Sequence, residues 1–260
     1  MMDRAIPVNA FNDNYIWLIR LTEDINASSV AIVDPGDATP VLEAVDDMSL
    51  IPEAILITHH HYDHIGGIGK ILQHYAIPVY GPAAETIPSL NFTLKNNDKI
   101  SLHSNKLEFE IIDVPGHTSG HIAYYTPGML FCGDTLFAGG CGRLFEGTPA
   151  QMYRSLKTLA SFPDETRIYC AHEYTLANLN FAVLVEPDNT DLQDRLLRTR
   201  QLRAADQPTV PSRLGLEKLT NPFLRCHQPT VRAAAERYTG KVLDNEIEVF
   251  TTIRAWKDRI

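Results

Sequence analysis

Along the first two thirds of the chain, apolar and β-branched residues come in short runs that are each closed by a turn signal. Runs at 30–33 (before Asp34-Pro35-Gly36), 54–58, 78–80, 107–114, 122–126, 129–132 and 167–170 predict strands. Between them, 68–75 and 150–161 predict helices, and in the second Met152, Leu156 and Leu159 fall on one face. This alternation implies a mixed α/β architecture. After His172 the pattern changes. Segments 176–185, 192–204, 229–238 and 245–257 have helical spacing and strand signals become rare, which predicts a small all-helical domain. The expected division is 1–172 and 173–260. No internal repeat or low-complexity segment interrupts it.

Composition narrows the class. With 260 residues and 44% hydrophobic content the chain can bury a substantial core. Its formal charge of −9 excludes a nucleic-acid partner, because phosphates are bound by clustered Lys and Arg and no such cluster is present. Residues 1–7 carry no secretory pattern, and no apolar stretch is long enough to span a bilayer. Cys132, Cys141, Cys170 and Cys226 show neither CxxC spacing nor a disulfide framework. They fit buried thiols in a reducing compartment, so the expectation is a cytoplasmic protein without a membrane partner, monomeric by default.

The densest chemistry lies in Thr58-His59-His60-His61-Tyr62-Asp63-His64, directly after the apolar run 54–57. In an extended segment alternate side chains share a side. His59, His61 and Asp63 can therefore converge while His60 and Tyr62 point elsewhere, and Asp63 and His64 sit where a Gly-rich helix begins. His117 in Pro115-Gly116-His117, Asp134 in Cys132-Gly133-Asp134 and His172 in Ala171-His172-Glu173 also follow strands, where rigid scaffolds place site residues. Five imidazoles and two carboxylates suit a pair of divalent cations of the zinc type. His74, His103 and His227 read as ordinary histidines, and His60 and His121 as structural or supporting ones. Asp34 reads equally as a turn former or a site residue. Cys132, beside Asp134, is not needed as a ligand.

The HxHxDH segment with the later His, Asp and His resembles the metallo-β-lactamase superfamily. That resemblance implies an αββα sandwich, with His59, His61 and His117 on one metal, Asp63, His64 and His172 on the other, and Asp134 between them. It implies two divalent ions per chain, zinc first, with iron or manganese as alternatives.

Over nearly its whole length the chain also resembles glyoxalase II, the hydroxyacylglutathione hydrolases. The match is carried by Asn12-Asp13-Asn14-Tyr15, Gly133 to Phe137, Gly140 to Arg143, His172 to Thr175, Asn221 to Arg225 and Arg254 to Lys257. The implied reaction is hydrolysis of S-(2-hydroxyacyl)glutathione, with S-D-lactoylglutathione giving glutathione and D-lactate in methylglyoxal detoxification. The implied nucleophile is a metal-bridged hydroxide, with Asp63 and Asp134 as catalytic carboxylates. Arg254 and Lys257, three apart and so on one helical face, are assigned to a glutathione carboxylate. Arg143, Tyr174 and Asn178 are assigned to the rest of the peptide. Two positions depart from the family pattern: Arg143 stands where Lys is usual, and Phe145 where Tyr is usual. Both bear on affinity more than on reaction type. The alternative expectation is a glutathione persulfide dioxygenase with a single iron.

Overall fold

The computed structural model describes residues 4–24, 26–103 and 106–260. The chain forms two compact units, one reaching Asp113 and including Ser119–Gly133, the other made of Val114–Thr118 and Asp134–Ile260.

The first unit holds β1 (Ala5–Ala10), β2 (Asn14–Arg20), β3 (Ser29–Val33), α1 (Ala38–Asp47), β4 (Ile51–Leu56), α2 (Tyr62–Ile65), α3 (Ile68–His74), β5 (Val79–Pro82), β6 (Phe92–Leu94), β7 (Lys99–Leu102), β8 (Leu107–Asp113), β9 (Ile122–Thr126) and β10 (Met129–Gly133). Strands β1 to β6 form one sheet in chain order, antiparallel at β1/β2/β3 and parallel from β3 to β6. The α1 crossover between β3 and β4, and the α2/α3 crossover between β4 and β5, are what parallel neighbours require. Strands β7 to β10 form an antiparallel meander.

Near-continuous apolar runs in β2, β3 and β4 match strands covered on both faces. Ile16, Leu18, Ile32 and Ile55 pack with Val41, Val45, Ile68 and Ile71 of α1 and α3 in one core. The predicted strands and helices of this region are present. Strands β1, β2, β6 and β7 were not expected. Asn14 and Arg20 flank the apolar β2, and β6 exposes two of its three residues, so neither gives a clean alternating signal.

The second unit holds β11 (Leu136–Phe137), β12 (Gly140–Cys141), α4 (Pro149–Ala160), β13 (Arg167–Cys170), α5 (Thr175–Val185), α6 (Thr190–Ala204), β14 (Ser212–Arg213), α7 (Leu214–Thr220), α8 (Pro229–Thr239) and α9 (Glu246–Lys257). Helix α4 starts on a reciprocal Thr148/Gln151 cap followed by Pro149, and buries Met152, Leu156 and Leu159 as its spacing predicted. The segment after residue 172 is helical with one exception: β14 pairs antiparallel with β13, and Leu214 N–H continues the contact to the Thr166 carbonyl at 2.9 Å. That edge strand and the short α7 were not foreseen. Helix α5 packs on α6, α8 on α9, and α4 on α9.

Candidate metal centre and peptide-binding cations

In the first unit the HxHxDH segment leaves the end of β4 and enters α2. Asp34, just after β3 and 4% exposed, organises it. Its Oδ1 accepts the Thr58 backbone N–H at 2.8 Å, and its Oδ2 accepts the Thr58 hydroxyl at 2.7 Å. His64 Nδ1 donates to the same Oδ2 at 3.0 Å. With its proton spent on Asp34, the Thr58 hydroxyl accepts from His59 Nδ1 at 3.1 Å. Both imidazoles thus carry their proton on Nδ1 and present Nε2 as the lone-pair atom.

His59 lies with its ring centroid 4.7 Å from His61 and 4.0 Å from His64, and one donor atom each from Asp34, His59 and His64 falls within 4.8 Å of the others. Asn14 Nδ2 donates to Asp63 Oδ2 at 3.0 Å, which gives the early Asn12-Asp13-Asn14-Tyr15 motif a physical role. His60 turns away to Glu85 at 3.0 Å and Tyr62 is exposed, as strand alternation predicted. His121 stacks on His59 at 4.5 Å and donates from Nδ1 to the Ile122 carbonyl. A Cβ on Gly36 would sit 1.8 Å from the Asp63 carbonyl oxygen, so only glycine lets the loop after β3 approach the α2 turn.

In the second unit Asp134 is 7% exposed and lies between two imidazoles, with Oδ2 3.4 Å from His117 Nε2 and Oδ1 3.4 Å from His172 Nε2. His117 Nδ1 donates to the Arg143 carbonyl at 2.8 Å, which again leaves Nε2 as the acceptor. His172 stacks against Tyr174 at 4.7 Å with an interplanar angle of 7°, and Phe145 meets His117 edge-on at 5.2 Å.

These donors pass the test for a divalent cation. His117 Nε2 faces Asp134 Oδ2, and His64 Nε2 faces Asp63 Oδ2 at 3.5 Å, so lone pair confronts carboxylate in each unit. A cation between them satisfies lone pair and carboxylate at once. Protonating every imidazole would instead crowd positive charges into buried space. The His and Asp cluster of each unit is therefore suited to a divalent metal ion. Burial pushes the Cys141 thiol up and the Cys170 thiol up to about 12, which makes neither a ready nucleophile.

The cations expected to hold a peptide lie on α9 and nearby loops of the second unit. Arg254 is 5% exposed, donates to the Cys141 carbonyl at 3.0 Å and to Asp258 Oδ1 at 2.9 Å, and lies 5.2 Å from the centre of the Phe223 ring. Lys257 shares that ring at 5.8 Å and donates to Asn178 Oδ1. Burial, then the neighbouring Arg254 charge, lowers its pKa to about 8. Exposed Arg143 reaches Asp258 Oδ1 at 3.4 Å, and Tyr174 stands part-exposed on His172. Arg143, Asn178, Arg254 and Lys257 thus form one linked group, with Asp258 as a member that sequence reading missed. Its position one helical turn after Arg254 was the available signal.

Residues 11–172 match the family model of the metallo-β-lactamase superfamily, and residues 173–260 match that of the hydroxyacylglutathione hydrolase C-terminus. A hydroxyacylglutathione hydrolase of Alkalilimnicola ehrlichii is 53% identical over 258 residues, covering 99% of this chain and 100% of that protein. Another, from Nitrosomonas eutropha, is 52% identical over 254 residues, 98% of each chain. Among solved structures, ETHE1 from Myxococcus xanthus aligns with a TM-score of 0.66 at 23% identity over 98% of this chain and 91% of that one, a likeness of fold. TTHA1623 in a di-iron-bound form aligns with a TM-score of 0.59 at 26% identity over 85% of this chain and 99% of that one. With the αββα metallo-β-lactamase fold and a helical C-terminal domain, the chain belongs to the hydroxyacylglutathione hydrolase family.

Proposed function

We propose that this protein hydrolyses the thioester of S-(2-hydroxyacyl)glutathione, S-D-lactoylglutathione foremost, as the second step of methylglyoxal detoxification. The single observation that carries the reading is full-length identity above 50% to proteins named hydroxyacylglutathione hydrolase, on a chain that presents both the His/Asp donors and the cation group. Residues 1–172 then serve as the catalytic domain and 173–260 as the substrate-binding domain.

In this reading His59, His61 and His117 would hold one divalent ion and Asp63, His64 and His172 the other, with Asp134 as the ligand shared by both. Zinc suits the borderline donor set, and iron or manganese use the same donors. When bound, the two ions supply water activation near neutral pH and polarisation of the thioester carbonyl. The water oxygen bonds to the acyl carbon as the carbon–sulfur bond breaks; one water proton goes to the glutathione sulfur and the other leaves the new carboxylic acid to solvent, giving glutathione and the hydroxy-acid anion. Asp63, steadied by Asn14, orients the attacking water at its carboxylate. Asp34 and the Arg143 carbonyl keep His64 and His117 in the Nδ1–H tautomer.

Glutathione carries two carboxylates and one ammonium, so an acidic protein must meet it with placed cations. Arg254 and Lys257 take the glycine carboxylate in this reading, with Arg143, Tyr174 and Asn178 along the peptide. Phe145 lacks the hydroxyl usual at its position and supplies an apolar edge instead. The four cysteines are buried and joined in no disulfide, which supports a reducing, cytoplasmic setting; a monomer is taken as the default working state. No helix among the described residues is long and apolar enough to cross a membrane. A thioesterase assay on S-D-lactoylglutathione, following loss of thioester absorbance and release of thiol, tests the reading. Oxygen uptake with glutathione persulfide and no thioester cleavage would replace it with the dioxygenase.

A further inference from the structure

The turn that joins β11 to β12 is held by the helical segment through its backbone. Asn221 Nδ2 donates to the Phe137 and Gly140 carbonyls at 3.2 and 2.9 Å. Asn178 Nδ2 donates to the Ala138 carbonyl at 3.0 Å, and Glu217 Oε2 accepts the Gly139 N–H at 2.8 Å. Gly139 has φ +70°, and a Cβ there would sit 2.7 Å from Leu179, so the turn fits only this conformation. Glu217 and Asn221 are both fully buried. Glu217 is anchored in turn by Arg195 at 2.5 Å and by the Ser212 hydroxyl, and Arg195 also donates to Thr220 at 2.6 Å.

The same turn reaches the peptide cations on two sides. Asn178 binds the Ala138 carbonyl with its amide nitrogen and Lys257 with its amide oxygen. The Cys141 carbonyl, the next residue past the turn, accepts from Arg254. A shift of residues 137–141 therefore moves the partners of both Lys257 and Arg254.

We propose that Glu217, clamped by Arg195 and working with Asn221, is a positioning residue that sets the spacing of Arg254 and Lys257 for the glutathione carboxylate. It touches neither substrate nor the reacting atoms and acts through the turn at 137–140. The proposal rests on the assignment of those two cations to glutathione. A buried charged group that merely stabilised the fold would change the folded fraction, not the affinity of the folded protein.

The test compares the parent with Glu217→Gln and Asn221→Ala, the second leaving no unpaired buried charge if the first fails to fold. Circular dichroism and Tm establish the folded fraction, calorimetry gives Kd for glutathione, and kinetics with S-D-lactoylglutathione give KM and kcat. The expected result for the folded variants is a rise of roughly tenfold in both Kd and KM, about 1.4 kcal/mol, with kcat much less changed. An Arg254→Ala background should absorb part of that rise, since the clamp would have lost one of its two targets. Unchanged Kd and KM in both folded variants, or full additivity with Arg254→Ala, would overturn the proposal. Failure of the parent to cleave the thioester strikes the functional reading instead, and glutathione affinity still reports on the clamp.

Discussion

Asp34 holds His64 by its Nδ1 at 3.0 Å, and the same carboxylate takes both the backbone N–H and the hydroxyl of Thr58. One residue outside the proposed ligand set thereby fixes the orientation of two inside it, His64 directly and His59 through Thr58. Asp34→Asn keeps the shape but turns one oxygen into a donor facing donors. Metal affinity, measured by competition with a chromophoric chelator, should fall about 10–100-fold, as for other losses of a partner behind a ligand. Parent-like affinity would reduce Asp34 to a turn former.

In the proposed mechanism Asp63 orients the attacking water. Replacing it with Asn should lower kcat by on the order of 10² or more while KM changes little, the pattern of an interaction made chiefly in the transition state. Metal content must be measured alongside. A variant that keeps parent kcat with both ions bound would take Asp63 out of the chemistry.

How much of this was legible in the sequence depended on the kind of signal. The ligand candidates stand at strand ends in a dense His/Asp segment, and the parallel strands read as apolar runs, so both were visible without coordinates. Asp34 was ambiguous because a carboxylate after a strand is also what turns use; only its three hydrogen bonds separate the two roles. Glu217 sits in the seven-residue α7 and Asn221 caps its end, and their partners in the β11–β12 turn lie about eighty positions away, which no local pattern reports. Strand β6 escaped notice because it exposes Phe92 and Thr93, and β7, although Lys99-Ile100-Ser101-Leu102 alternates cleanly, is only four residues long.

In the proposed reading Arg254 answers a remote carboxylate rather than the reacting carbonyl. Arg254→Ala should raise KM by about 10–100-fold, the worth of a charged hydrogen-bond set, with kcat less affected. Steady-state kinetics on S-D-lactoylglutathione decide the matter, and equal KM values would remove Arg254 from the substrate site.

Lys257 gives that affinity a pH dependence. Burial and the Arg254 charge lower its pKa to about 8 in the free protein, so its charge is present below that pH and lost as pH rises through it. A bound carboxylate favours the charged form, which makes anion binding weaken above about pH 8 and holds it steady below. KM measured from pH 6.5 to 9.5 should climb on the alkaline side for the parent. It should stay flatter, at a higher level, for Lys257→Met. A parallel climb in the variant would assign the titration to another group.

The proposed chemistry has His and Asp side chains holding divalent ions that make water attack a glutathione thioester. Its most direct test is thioester hydrolysis by the purified protein before and after exhaustive chelation, then after return of zinc, iron or manganese. The prediction is rapid release of glutathione from S-D-lactoylglutathione, loss of activity with the metal, and recovery on reloading. Undiminished hydrolysis in metal-free protein, or no hydrolysis in protein carrying two ions per chain, would contradict it.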